Sequence, residues 1–244
     1  MSSPDSYCIE PIGVVHSCYR EKFGIPRQPG LVDAARAVVE LDPRFGSRES
    51  VEGLEAYSHI WILFVFHETA AQGWKPQVRP PRLGGNKKMG VYATRSMFRP
   101  NPIGQSVVKL DFIEYGEKIK LHLSGIDLLD QTPVLDVKPY IPYVESIPDA
   151  TAGSFQQAPL ATTKVTFCSD ALLQLEQFDE LYPELKRLIE QILEQDPRPA
   201  YHKENGREYG IALYDLNICW IVKGDEFEVL SIESVGDEGS PTSR

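Results

Sequence analysis

The sequence predicts a mainly β first part, closed as a barrel or layered as a sandwich, followed by a small α+β unit. Three observations lead there. Short runs rich in β-branched and aromatic residues crowd the first 140 positions with no helical period between them. A segment of prolines and small polar residues, Ile141 to Pro159, then breaks the pattern. Beyond it, strand-like runs flank two stretches with helical spacing.

Taken in order, Tyr7–Ser17 and Arg36–Leu41 read as strands. Ile60–Phe66 (IWILFVF) is continuously apolar, the mark of a central strand buried on both faces. Gly90–Thr94, Ser106–Phe112 and Ile119–Ser124 follow, the last alternating Ile119, Leu121 and Leu123 with Lys120, His122 and Ser124. Tyr115–Gly116–Glu117 joins two of these as a hairpin turn, and Val134–Lys138 is a further strand. In the second part, Thr163–Phe167 reads as a strand and Ser169 as the N-cap of a helix over Ala171–Leu181. Leu185, Leu188, Ile189, Ile192 and Leu193 give Glu184–Glu194 one apolar helical face. Tyr209–Asp215, Ile218–Val222 and Phe227–Ile232 complete the unit. The expected division is 1–150, 151–235 and a disordered tail at 236–244.

Composition narrows the function classes. No apolar run approaches the roughly 18 residues of a membrane helix, and Met1–Ser6 lacks the features of a secretory leader. Neither a membrane partner nor export is expected. Cys8, Cys18, Cys168 and Cys219 lie far apart without CxxC spacing, so no metal is expected, and reduced thiols in a cytoplasmic protein are. The sequence has no GxGxxG after a strand, no P-loop, no HExxH and no GxSxG.

The formal charge of −10 argues against a nucleic-acid partner until its distribution is read. Residues 1–155 carry 17 basic against 18 acidic side chains; residues 156–244 carry 8 against 17. Thr69 to Leu110 contains no acid but holds Lys75, Arg79, Arg82, Lys87, Lys88, Arg95, Arg99 and Lys109. Such a segment suits a phosphate-bearing ligand. Within it, GGNKKMGVYATRSMFRPNPIG (Gly84–Gly104) places Arg95 and Arg99 beside the stiff Arg99–Pro100–Asn101–Pro102. The prolines fix φ and Gly104 permits a backbone that other residues cannot adopt. Two guanidiniums on a rigid loop suit a carboxylate or another anion.

The run ATRSMFRPNPIG, together with PRQPG (Pro26–Gly30), SHIWILFVFHE (Ser58–Glu68), VRPPRLGG (Val78–Gly85), DLLDQTPVLDVKPYIPY (Asp127–Tyr143) and DPRPAY (Asp196–Tyr201), closely resembles the TsaA-like or TrmO family. The resemblance covers roughly residues 7–233. It implies an antiparallel β-barrel catalytic domain and a small C-terminal α+β domain. It also implies a homodimer, S-adenosylmethionine as methyl donor, and methylation of N6 of threonylcarbamoyladenosine beside the tRNA anticodon. Met97 stands where the family often has Pro, which should be harmless, and Gln131 where Gly is common, so a turn there should be shaped differently.

By resemblance the donor site takes Pro26, Arg27, Gln28, His67, Glu68, Arg95, Asp127, Leu128 and Leu129. The chemistry agrees: Arg95 can fork a carboxylate, Glu68 or Asp127 can accept from ribose hydroxyls or an ammonium, Gln28 can satisfy adenine edges, and the leucines supply an apolar wall. On the acceptor side, alternation places Asp136, Lys138 and Tyr140 on one strand face. With Arg99 and Asn101 this face would hold or deprotonate the acceptor; the alternative is a salt bridge from Asp136 to Lys138 or Arg99. The anticodon stem-loop would lie on Lys75, Arg79, Arg82, Lys87 and Lys88, and on Arg198, Lys203 and Tyr201, the last stacking on a base. Two rival functions stay open: a tRNA-binding barrel without catalysis, and a donor-binding barrel that methylates a small molecule.

Overall fold

The computed structural model describes residues 7–80, 87–157, 163–198 and 206–235. Its first unit contains strands β1 (Gly13–Ser17), β2 (Arg36–Leu41) and β3 (His59–Val65), with helical turns α1 (Arg48–Val51) and α2 (His67–Ala70). The two-residue strands β4 (Gln77–Val78) and β5 (Met89–Gly90) pair with each other, and β6 (Ile103–Tyr115), β7 (Ile119–Ser124) and β8 (Pro133–Pro139) follow. The six long strands close an antiparallel barrel in the order β1-β2-β7-β6-β3-β8. Closure removes exposed strand edges, and it settles the choice between barrel and sandwich.

Three sequence expectations change. Ile60, Ile62 and Phe64 of β3 are buried, whereas Trp61, Leu63 and Val65 are only half-buried, so the strand has one core face rather than two. A barrel wall has an inside and an outside; here the outer residues are apolar as well. Gly90–Thr94 is not a strand: after β5 the chain tightens into a 3₁₀ turn at Val91–Ala93. Gly104 is buried directly opposite Phe64, and a Cβ there would lie 2.3 Å from the Phe64 ring. Its requirement is therefore space for that ring, not a special backbone conformation.

Helix α3 (Pro142–Glu145) lies in the connecting segment. The second unit is β9 (Lys164–Phe167), α4 (Ser169–Phe178), α5 (Leu185–Glu194), β10 (Glu208–Leu213), β11 (Leu216–Lys223) and β12 (Glu226–Ser234), with sheet order β10-β11-β12-β9. The five apolar residues read from the helical period are the buried face of α5. The N-cap of α4 is Cys168, not Ser169: the Cys168 sulfur accepts from the Ala171 N–H at 3.4 Å and donates to the Leu230 carbonyl. The tail at 236–244 lies outside the described residues.

The units share one hydrophobic cluster running from Val15 to Ile232. The segment between β1 and β2 joins them. Tyr19 bridges Leu213, the Cys18 carbonyl accepts from Tyr214 N–H at 2.8 Å, and Arg20 Nε donates to the Tyr214 carbonyl. Ala34 N–H donates to Gln191 on α5, and Asp33 pairs with Arg187 at 2.6 Å. Gly24, at φ +89°, has Ile211 where a Cβ would sit.

Gln131 occupies the left-handed region at φ 64°. The turn keeps the shape a glycine would favour, and the glutamine bears the strain, about 1 kcal/mol before glycine's own entropy is counted. Gln131→Gly is expected to stabilise the fold by about 0.5 kcal/mol, read as a rise of about 1–2 °C in Tm. A fall in Tm would mean that the exposed Gln131 bonds to His16 and Asp130 outweigh the strain.

Candidate active site

A cavity of about 550 Å³ opens at one end of the barrel. Four stretches of chain build its wall. Residues 22–28 arrive from the loop braced by the second unit, 64–69 from the end of β3 and from α2, 94–106 from the Arg-Pro loop into β6, and 127–132 from the segment before β8. Its size is that of a small-molecule site, and its lining mixes apolar walls with a few polar groups.

The structure brings all nine donor-site candidates to this cavity: Pro26, Arg27, Gln28, His67, Glu68, Arg95, Asp127, Leu128 and Leu129. Arg95 Nη1 donates to Gln28 Oε1 at 2.6 Å, tying the two loops across the mouth. Lys22 reaches Glu68 at 3.7 Å and His67 lies 3.9 Å from the same carboxylate. Asp127 accepts from Ser106 Oγ at 2.7 Å. Burial raises its carboxyl to about 6, against the pull of the Ser106 bond, of its own backbone N–H and of Arg95. Glu68 and Asp127 are the only carboxylates among the described lining residues.

Of the acceptor-side candidates, only Arg99 lines the cavity. Its Nη1 donates to the Thr94 and Val91 carbonyls at 2.9 and 3.2 Å, which fixes the guanidinium against the turn. Asn101 is exposed outside the lining. Asp136, Lys138 and Tyr140 lie elsewhere: register pairs Asp136 with Leu63 and Lys138 with Trp61, the outward residues of β3. Asp136 and Lys138 form a 2.6 Å ion pair on the outer barrel surface, and Tyr140 packs near Trp61. Alternation does place Asp136 and Lys138 on one strand face, but within one chain that face is turned away from Arg99.

Among the RNA-side candidates, Lys75, Arg79, Lys87 and Lys88 are exposed, and Lys75 Nζ sits 3.9 Å from the centroid of Phe98. Arg198 is not a free cation: Asp196 takes its fork at 2.7 and 2.9 Å and Phe227 lies under the guanidinium. Arg82, Tyr201 and Lys203 fall outside the described residues.

Sequence reasoning passed over Ser106 and Gln105 and gave Met97 no part in a site, yet all three line the cavity. The alternation of β6 was the available signal, because Ser106 is a small polar residue at an inward position between Gly104 and Val108. Met97 belongs to the cavity wall. Among the described residues no three His, Cys, Asp or Glu side chains form a metal-binding group.

Comparison with known proteins agrees with this geometry. A family model described as the tRNA-methyltransferase O N-terminal domain matches residues 14–146, and the TrmO C-terminal domain model matches residues 160–235. A tRNA (adenine(37)-N6)-methyltransferase of Escherichia coli K12 is 50% identical over 231 residues, covering 93% of this chain and 98% of its own. A putative S-adenosylmethionine-dependent methyltransferase, RcsF, of Pseudomonas aeruginosa is 50% identical over 217 residues, covering 88% and 92%. The crystal structure of TrmO from P. aeruginosa superimposes with a TM-score of 0.80 at 43% identity, covering 94% of this chain and 99% of that one. The chain belongs to the tRNA-methyltransferase O family.

Proposed function

We propose that the chain transfers a methyl group from S-adenosylmethionine to N6 of the adenosine at position 37 of tRNA, the activity named for the E. coli relative. One observation carries the reading. A cavity that joins a guanidinium, a buried carboxylate, an amide and an apolar wall opens beside a basic segment free of acids.

The residues fit the donor. Arg95 can fork its carboxylate, Asp127 or Glu68 can accept from its ammonium or ribose hydroxyls, Gln28 can bond the adenine edge, and Leu128 and Leu129 can cover the ring. When bound, this group supplies an electrophilic methyl on a sulfonium. Arg99, clamped by two carbonyls, is placed to orient the acceptor from the basic side. Alignment matters because a urea-like nitrogen, as in threonylcarbamoyladenosine, is a poor nucleophile. We take residues 1–150 as the catalytic unit and 151–235 as its buttress. A tRNA substrate supports a cytoplasmic location. A homodimer is supported by the exposed Tyr143, Val144 and Ile147 beside the apolar outer face of β3.

The test is methyl transfer from labelled S-adenosylmethionine to tRNA from cells lacking the protein, with mass analysis of the digested nucleosides. A single added methyl on threonylcarbamoyladenosine is the expected product. Donor binding without transfer to any tRNA would favour a barrel acting on a small molecule; tRNA binding without donor binding would favour a non-catalytic module.

A further inference from the structure

Two exposed aromatic rings on the basic segment have no role in the site as described. Trp74 is 54% exposed and Tyr92 74% exposed. Both belong to one overhang beside the cavity. Lys75 N–H donates to the Phe98 carbonyl at 3.1 Å and Val91 N–H to the Pro76 carbonyl at 3.0 Å, so residues 74–76 are bound to residues 91–98. β4 and β5 close the same structure. Arg99, which lines the cavity, has its guanidinium 5.6 Å from the centre of the Tyr92 ring. Tyr92 therefore sits behind one of the cavity's cations, on the solvent side.

Large aromatics are expensive to leave in water, and two exposed rings on one hydrogen-bonded overhang invite a ligand. The surroundings say which. The overhang carries Lys75, Arg79, Lys87, Lys88, Arg95 and Arg99 and no acid, and no carboxylate pairs with Lys75, Arg79, Lys87 or Lys88 among the described residues. Cations interleaved with exposed rings match a flexible polyanion with planar bases, which is single-stranded nucleic acid. A folded protein partner with an apolar patch would leave these cations unpaired.

We infer that Tyr92 and Trp74 form a stacking platform for unpaired bases of the RNA loop, with Tyr92 holding a base next to the one presented to the cavity. The inference rests on the tRNA reading above. It adds that bases, and not only phosphates, are gripped at the rim. Tyr92 is then a substrate-positioning residue, and its ring in turn leans on Arg99.

The experiment compares wild-type protein with Tyr92→Ala, Tyr92→Phe and Trp74→Ala. Binding is measured to an anticodon stem-loop RNA and to the same stem closed by an abasic loop. Because stacking on an aromatic is worth a few-fold to about 100-fold per base, Tyr92→Ala should weaken binding of the intact loop by about 10-fold and Tyr92→Phe by less than threefold. Wild type should bind the abasic loop at least as weakly as Tyr92→Ala binds the intact one, because both stacking contacts are then lost. The slope of log affinity against log salt should stay as in wild type, since no phosphate contact is lost. S-adenosylmethionine affinity should also be unchanged, which reports an intact fold. Loop binding by both alanine variants within twofold of wild type, with wild type still salt-dependent, would overturn the platform and leave the tRNA reading standing. A change of oligomeric state in place of RNA affinity would overturn it in favour of a protein contact. Failure of wild type to bind the RNA at any salt would remove both readings.

Discussion

Arg95→Ala is expected to raise the dissociation constant for S-adenosylmethionine by about 100-fold, with little change in thermal unfolding. A bidentate bond between charged groups is among the strongest polar contacts available, and it is worth more beside an apolar wall than in water. Arg95 is exposed at the mouth and bonded to Gln28 there, so its removal also frees the loop that carries Pro26 and Arg27. Arg95→Lys should recover only part of the affinity, because an ammonium keeps the charge and loses the fork. Titration calorimetry decides it: a dissociation constant for the alanine variant within threefold of wild type would remove Arg95 from the donor's carboxylate.

The second large effect concerns pH. Burial raises the Asp127 carboxyl from 3.8 to about 6, with Ser106 and Arg95 holding it from rising further. As an acceptor for hydroxyls or an ammonium the ionised form is the useful one, so donor affinity should rise with pH through about 6. The dissociation constant at pH 5 is expected to be about 10-fold that at pH 7.5, and Asp127→Asn should bind weakly without that dependence. His67, Glu68, Lys22 and Arg95 share the cavity, so His67→Gln is the control and should keep the profile. Stability has the opposite sign. A folded value above the unfolded one means that this group's contribution is present below pH 3.8 and lost as pH rises through about 6. Asp127→Asn should therefore stabilise the ligand-free protein at pH 7.5, by roughly 1–2 kcal/mol once exposure to the cavity is allowed for. An asparagine variant that retains the pH dependence would assign it to another group.

The sequence was most readable where one physical rule acted alone. The five apolar residues of α5 follow from helical period, and the alternation of β7 places Ile119, Leu121 and Leu123 in the barrel core. Where tertiary context competed, reading was poorer. Ile60–Phe66 looks buried on both sides because Trp61 and Leu63 are apolar, although only closure of the barrel decides which face is inside. The nine donor-site candidates come from four separated stretches of chain, and family resemblance, not local pattern, brought them together. Asp136, Lys138 and Tyr140 share a motif with Asp127, but the strand order turns them outward, and no pattern within a strand reports strand order. Arg198 read as a free cation because its partner, Asp196, is two residues away at φ 45°, where backbone shape decides whether the fork can close.

The loop between β1 and β2 is made early by the ribosome and can be ordered only late. Its flank at Tyr19 waits for Leu213, and the strand before it waits for Val134. Contacts this distant in sequence must overcome loop-closure entropy before they contribute, so they come last in folding. The wall formed by Pro26, Arg27 and Gln28 thus acquires its brace only once Leu213 has left the exit tunnel. A nascent chain that stops short of Leu213 is then a barrel with one wall of its cavity unbraced.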